Sequence, residues 1–544
     1  MDHSSIAVAQ RWMKLAPTAM PKDCRLWNGC WRTIDSLKPE NPRANFNRKL
    51  LAEGSVAFSC ELFDATASAF AGCLCHHPAF ARVNAIASGK FSRRSFLRGA
   101  AAMAAFPMLD HTSALAGTPA APSQAIAFTN VKVFDGTSDA LRGGLTVMVE
   151  GSRIKSIGPA TGSVEPGIRV IDGGGRTLMP GLIDAHWHAM MAAIGLNQLL
   201  TADVGYINLV AADQAEKTLL RGFTSIRDMA GPVFGLKRAI DTGLVSGPRI
   251  WPSGAMISQT SGHGDFRFPY EVPAAYDAPM SRGEVAGGGM IADGVDQVLK
   301  RVREQLMLGA TQIKLSAGGG IASNYDPLDV SQYTEAEFRA AVEAAENWGT
   351  YVAVHAYTPR AIKMAVNSGV RCLEHGQLMD EATAALLAEK DTWFSSQPFL
   401  DDEDANPQPE GSPNRAKQLE MSAGTDTAFG LAKKYRLKTA WGTDTLFEPK
   451  LTNRQGAQLA KMKRWYTPIE ILKMATGTNA ELLAMSGPRN PYPGKVGVLE
   501  EGAFADILLV DGDPTTDIDL VADPVRNFKI IMKDGRFHKN ELQE

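Results

Sequence analysis

The stretch Pro180-Gly181-Leu182-Ile183-Asp184-Ala185-His186-Trp187-His188 decides how this chain is read. It is a short apolar run that ends in two histidines one residue apart. Side chains alternate faces along a strand, so His186 and His188 share a face with Asp184 and Leu182, while Ile183, Ala185 and Trp187 point the other way. Two neighbouring imidazoles at a strand end can hold a metal ion. One such pair alone does not separate a metal site from two satisfied core histidines.

Working outward, apolar runs alternate with helical stretches, the pattern of a parallel sheet. Eight strands are predicted: 181–188, 224–229, 249–254, 311–317, 351–357, 370–375, 393–397 and 437–444. Helices are expected between them, among them 295–308, 335–348 and 382–389. Eight β/α units predict a TIM-type (β/α)₈ barrel, whose chemistry sits at the carboxyl ends of its strands. Strand-rich pieces flank it: 125–134, 145–149, 154–157 and 170–171 on one side, 505–510 and 528–532 on the other. The expected organisation is an α/β fold with a small β-sandwich built from residues 117–179 and 488–544 around a barrel of residues 180–487.

Ligand-type residues recur at the predicted strand ends. In Thr311-Gln312-Ile313-Lys314-Leu315-Ser316-Ala317, the apolar residues face the surrounding helices and Gln312, Lys314 and Ser316 face the lumen. A lysine there must lose its charge or find a partner. His355 closes 351–355, His375 closes 370–375, and Asp444 follows Ala440-Trp441-Gly442-Thr443. Residues 117–544 hold six histidines, and four of them stand at strand ends. Face assignment by alternation is clear for strands 1, 4 and 5 and ambiguous for strands 6 and 8.

These motifs resemble the metal-dependent amidohydrolase superfamily. The opening strand, the lysine of Ile313-Lys314-Leu315, the histidines ending strands 5 and 6 and the aspartate ending strand 8 match its binuclear pattern. Met474-Ala475-Thr476 with Asn479-Ala480, and Gly497–Gly502 followed by Ala505-Asp506-Ile507-Leu508, are similar to its carboxyl-terminal part. Ile313–Gly320 and His355-Ala356-Tyr357 resemble a subgroup with prolidase-like carboxypeptidases, imidazolonepropionase-related proteins and ochratoxin-hydrolysing amidohydrolases.

The resemblance implies two divalent metal ions, zinc suiting the ligands best. His186, His188 and Asp444 would hold the more buried ion and His355 and His375 the second. Lys314, carbamylated by CO₂, would bridge them. A hydroxide bridging the ions would attack the substrate carbonyl, with Asp444 carrying its proton to the departing amine. Lys314 and Asp444 are thus the catalytic residues. His263 and Tyr357 sit where prolidase-like relatives hold a free substrate carboxylate; a loop-packing histidine and a core tyrosine are the plain alternatives.

The implied substrate is a small amide or dipeptide cleaved next to a carboxyl-terminal amino acid: an Xaa-Pro or other dipeptide, an N-acyl amino acid or ochratoxin A. Cyclic-amide hydrolysis of the imidazolonepropionase or dihydroorotase kind is the alternative, and a non-catalytic binding protein on the same barrel a more distant one. The subgroup resemblance also implies a homo-oligomer, an octamer being a common form. Cys372 reads as a buried core thiol. The acidic run 401–413 reads as a solvated loop or a pocket rim, and the Gly-rich segments 287–289 and 318–320 as mobile loops that fit no phosphate-binding motif.

Charge and cysteine divide the chain of 544 residues. Residues 1–116 carry a net +6, and residues 117–544 a net −9. The acidic part has no basic stripe, which argues against a nucleic-acid partner. No run of about 20 apolar residues occurs, which argues against a stable membrane association. Five of the six cysteines precede residue 76, so the body needs no disulfide framework. Ser92-Arg93-Arg94-Ser95-Phe96-Leu97-Arg98, the apolar run 99–109 and Ala114-Leu115-Ala116 resemble a twin-arginine signal peptide (91–116), which predicts a periplasmic or secreted bacterial protein. Residues 1–90 read as a disordered extension or a start assigned too far upstream. A small Cys/His module at Cys73–His77 is the weaker reading, because it lacks a second ligand pair.

Overall fold

The computed structural model describes residues 124–160, 165–275 and 278–542. The extension, the signal segment and the Cys73–His77 cluster expected before residue 117 lie outside the described residues. The strands are β1 (Ile126–Val133), β2 (Arg142–Glu150), β3 (Arg153–Pro159), β4 (Arg169–Asp172), β5 (Thr177–Pro180), β6 (Leu182–Trp187), β7 (Phe223–Asp228), β8 (Arg249–Pro252) and β9 (Met256–Ser258). They continue as β10 (Gly289–Ile291), β11 (Ile313–Ser316), β12 (Val352–Ala356), β13 (Cys372–His375), β14 (Trp393–Ser396), β15 (Thr439–Trp441), β16 (Ile507–Val510), β17 (Phe528–Lys533) and β18 (Arg536–Asn540).

The chain is α/β. Its middle forms two parallel sheets, ordered β6-β7-β8 and β10-β9-β11-β12-β13-β14-β15. All eight strands predicted there are present, with the expected helices Val295–Leu308, Glu335–Glu346 and Glu381–Glu389 between them. The short strands β9 and β10 were not expected. Ile313, Leu315 and Ala317 pack with Val298, Val302 and Phe338 of the flanking helices, as alternation requires.

Hydrogen bonds join the two sheets at both edges. At one edge the Asp444 N–H donates to His186 O (2.7 Å), and the Asn479 amide donates to both Ile183 O and Trp441 O (2.8 Å each). A Cβ at Gly442 would sit 2.4 Å from the His186 nitrogen, so only glycine permits this approach. At the other edge the Thr311 N–H donates to Pro252 O (2.8 Å) and the Gln312 amide to Trp251 O (2.9 Å).

Strict alternation fails in β6. Asp184 pairs with Ile226 and Trp187 with Asp228, so Ala185 and His186 together oppose Arg227 in a β-bulge. Ala185, expected to face outward, packs instead with Met229, Ala353, Cys372 and Ala440 from four other strands or strand ends. Asp184 turns to the edge, accepting from the Thr443 N–H and hydroxyl and the Gln455 amide (3.1, 2.8 and 2.8 Å).

Strands from both flanks join one eight-stranded sheet, β18-β17-β16-β5-β1-β2-β3 with β4 on β1. Its apolar residues, among them Phe128, Val147, Leu178, Leu509 and Ile530, form a core of their own. Buried Arg249 of β8 pairs with Asp506 and Asp534 and so ties this sheet to the central strands. Among the described residues no helix is long and apolar enough to cross a membrane.

Candidate active site

Every residue expected in the site lines one cavity of about 320 Å³: His186, His188, His263, Lys314, His355, Tyr357, His375 and Asp444. His186, His188, His355, Tyr357, His375 and Asp444 stand at or just beyond strand ends, Lys314 lies within β11, and His263 lies on the connection after β9. His186 to His375, His355 to His375 and His186 to His188 have ring centroids 5.0, 4.5 and 5.2 Å apart. Asp444 Oδ1 lies 2.8 Å from His188 Nε2 and 3.2 Å from His186 Nε2, and Oδ2 lies 3.8 Å from His375 Nδ1. His186, His188 and Asp444 form a group able to hold a metal ion.

His375 (φ +79°) and Asp444 (φ +53°) both adopt the left-handed backbone that non-glycine residues rarely take. Such conformations concentrate at functional sites. Here they let the chain leave the strand while its side chain still faces the cavity.

Each imidazole is held from behind. His186 Nδ1 meets Glu374 Oε2 (2.8 Å), His375 Nδ1 donates to Gln397 Oε1 (2.7 Å), and His188 Nδ1 donates to Ala230 O (3.3 Å). His355 is held at the other nitrogen, Nε2 donating to Gly319 O (3.1 Å). Burial drives the His355 and His375 pKa values well below the ordinary imidazole value, so both rings are neutral. Burial also lowers the Lys314 pKa, against the pull of Glu374 and Asp444. Burial alone would raise the Asp444 pKa, but the surrounding histidines hold it well below the usual carboxylate range.

His263 reaches the cavity from the connection after β9, and its Nδ1 meets Ser323 Oγ at 2.7 Å. Tyr357 packs edge-on to His355, centroids 4.8 Å apart. Burial raises its pKa well above the ordinary phenol value, so the hydroxyl keeps its proton and can donate. The segment Gly318–Gly320 is tied down: Gly320 N–H donates to Asp326 Oδ2 (2.7 Å), and Lys417 donates to Gly320, Ser323 and Asp326 carbonyls. The acidic run 401–413 forms part of the cavity wall through Asp404, Ala405, Asn406 and Gln408. It is pinned by Arg454 on Glu403 and Asp404 and by Lys461 on Asp402, so the run is a largely exposed loop that also forms part of the pocket rim.

Sequence reasoning missed the polar residues behind the ligands. Arg227 and Glu374 are fully buried and paired (2.7 Å), and Gln397 holds His375. A charge inside an apolar strand was the available signal for the first two. Cys372 is buried as expected, but it belongs to this polar network, donating to Glu374 Oε1 (3.1 Å).

A fold of parallel strands with histidines, a lysine and an aspartate converging at their carboxyl ends defines a hydrolase class, and a family model confirms it: residues 177–537 match the amidohydrolase family. The chain belongs to that family, and within it to the prolidase- and ochratoxinase-like subgroup. Ochratoxinase of Aspergillus niger is 32% identical over 371 residues, covering 66% of this chain and 75% of that protein. A prolidase crystallised with N-methylphosphonate-L-proline is 34% identical with a TM-score of 0.70, the match covering 76% of this chain and all of that one. The crystal structure of A. niger ochratoxinase matches at a TM-score of 0.67 and 25% identity, over 77% of this chain and 96% of that one. The protein is therefore a hydrolase of a generally metal-dependent family.

Proposed function

We propose that this chain is a binuclear metal-dependent amidohydrolase that cleaves an amide or peptide bond next to a carboxyl-terminal amino acid. Its two parallel sheets are read as the arcs of one closed (β/α)₈ barrel, supported by the hydrogen bonds at both edges. The sheet from both flanks is read as folding round its own core into the small β-sandwich.

One observation carries the metal reading. With Nδ1 donating to the Ala230 carbonyl, the neutral His188 ring, the form that binds a metal, aims its Nε2 lone pair at Asp444 Oδ1, 2.8 Å away. Buried His186 Nε2 has no hydrogen-bond partner and stands 3.2 Å from the same oxygen. In their neutral forms two imidazole lone pairs and a carboxylate oxygen converge on one point, an arrangement that a divalent cation satisfies. The donors therefore fit a divalent ion at His186, His188 and Asp444. His355, free at Nδ1, and His375, free at Nε2, fit a second. Imidazole and carboxylate donors suit zinc. Lys314, whose pKa burial lowers, can add CO₂ with loss of one proton to give a carbamate anion that would serve as a further ligand.

When bound, the two ions supply an ionised water near neutral pH and polarise the scissile carbonyl. Asp444 accepts a proton from the attacking water and delivers it to the leaving amine. The Tyr357 hydroxyl and the His263 ring bind the substrate carboxylate and so orient the bond beside Asp444. Met191, Phe266, Phe399, Met421 and Phe447 in the cavity wall favour apolar flanking groups. Both relatives named above, an ochratoxinase and a prolidase, support a substrate of this class.

The test is metal analysis followed by a panel of Xaa-Pro dipeptides, N-acyl amino acids and ochratoxin A. About two zinc ions per chain and hydrolysis within this panel are expected. A protein free of divalent ions, or one that cleaves none of these compounds when loaded, overturns the reading.

A further inference from the structure

Arg227 and Glu374 have no part in the chemistry above, yet they are the most completely enclosed ion pair beside the site, both side chains fully buried. Arg227 Nη2 donates to both Glu374 oxygens (2.7 and 2.9 Å) and to Ser395 Oγ (3.1 Å). Its Nη1 donates to the Tyr351 hydroxyl (3.1 Å), and its Nε donates to Ala185 O (2.6 Å). One guanidinium thus links β6, β13, β14 and the start of β12.

The Ala185 contact falls on the bulge of β6, where Ala185 and His186 together oppose Arg227. A bulge frees a carbonyl from the ladder and re-aims the side chain beside it. The Arg227 side chain satisfies the freed carbonyl, and Glu374, held by the same guanidinium, meets the Nδ1 of His186, the re-aimed residue, at 2.8 Å. A carboxylate accepts only, so Nδ1 carries a proton, and in the neutral ring Nε2 keeps the lone pair that faces Asp444.

Stability alone does not account for the pair. A buried ion pair is often no better than apolar residues of the same volume, because desolvation offsets the attraction.

We propose that Arg227 and Glu374 are positioning residues for His186: Arg227 holds the bulge and Glu374 together, and Glu374 sets the tautomer and aim of the imidazole toward a divalent ion. This rests on the metal reading of the site. The test loads the full chain with zinc or cobalt and measures zinc affinity by chelator competition and the visible spectrum of the cobalt form. Glu374→Leu, with no acceptor for Nδ1–H, is expected to weaken retention of one ion about 10–100-fold and to change the cobalt spectrum. Glu374→Gln keeps an acceptor oxygen and is expected to lose less. Arg227→Lys keeps the charge without the fork and is expected to fall between wild type and Glu374→Leu.

A merely structural pair would lower the melting temperature of these variants while the folded fraction kept wild-type zinc affinity and cobalt spectrum, and that result overturns the proposal. If Glu374→Leu does not fold, the same comparison on Glu374→Gln and Arg227→Lys decides. Wild-type protein that takes up no ion overturns the metal reading; wild-type uptake with undiminished affinity in the variants overturns this inference alone.

Discussion

The imidazole of His263 lies flat on that of His355, with ring centroids 4.0 Å apart and planes 21° from parallel. One ring comes from the connection after β9, the other from the end of β12. The ring assigned to the substrate carboxylate therefore rests on a ring assigned to the metal. Whatever shifts His263 changes the distance between the held carboxylate and the reacting bond, and geometry of this kind governs rate steeply.

Gly320 tests that coupling. A Cβ there would fall 2.0 Å from His263 Nδ1, so Gly320→Ala must displace the ring. Steady-state kinetics on an N-acyl amino acid should show KM raised about tenfold or more, near the loss of one charge-assisted hydrogen bond. Metal content should stay at the wild-type level. An unchanged KM would remove His263 from carboxylate binding.

Tyr357 makes a second, separable prediction. Tyr357→Phe removes a buried donor and leaves the ring packing against His355 and His375. Substrates with a free carboxylate should lose about 1–3 kcal/mol of transition-state binding, read from kcat/KM. Their carboxamide analogues should lose much less. Equal losses for both would show that the hydroxyl does not read the carboxylate.

The residues most legible in the sequence were those on regular strands. Lys314 and His355 face the cavity by simple alternation, because β11 and β12 pair without a register break. His375 and Asp444 were ambiguous for a physical reason: both have positive φ, and a period of two says nothing where the backbone has left the strand. Ala185 was assigned to the wrong face because a bulge shifts the alternation in the middle of β6. The partner of Arg227 was invisible, since Glu374 lies 147 residues away and only the tertiary fold brings them together. Strands β9 and β10, three residues each, carry too little pattern to stand out from a loop.

Lys314 should control metal uptake. Lys314→Ala is expected to lower turnover at least a thousandfold and to abolish stable retention of two ions. In the wild type, burial holds the amine below its ordinary pKa of 10.5, so the neutral form that adds CO₂ becomes available at lower pH. Chelated protein given zinc should therefore regain activity faster with added bicarbonate. At fixed CO₂, the rate should rise with pH and level off before pH 10.5. Near-wild-type turnover in Lys314→Ala, or recovery indifferent to bicarbonate, would contradict the carbamate.

Asp326 gives a prediction for stability and its pH dependence. Burial alone would raise its pKa, but the facing His263 ring (3.6 Å), Ser323 and Lys417 (3.8 Å) outweigh burial and hold it below the ordinary carboxylate value of 3.8. The fold thus favours the ionised form. A carboxylate depressed in the native state adds stability that is fully present above its unfolded pKa and is lost as pH falls through the folded one. Asp326→Asn keeps the shape and removes the charge, so it should cost about 1–3 kcal/mol at pH 7. That gap should narrow as pH drops below about 3.8, because wild type then loses the same contribution by protonation. Denaturant unfolding of both proteins at pH 7, 5 and 3.5 reads the gap directly. A gap that stays constant down to pH 3.5 would show that the ionised carboxylate is not what holds the 318–329 loop against His263.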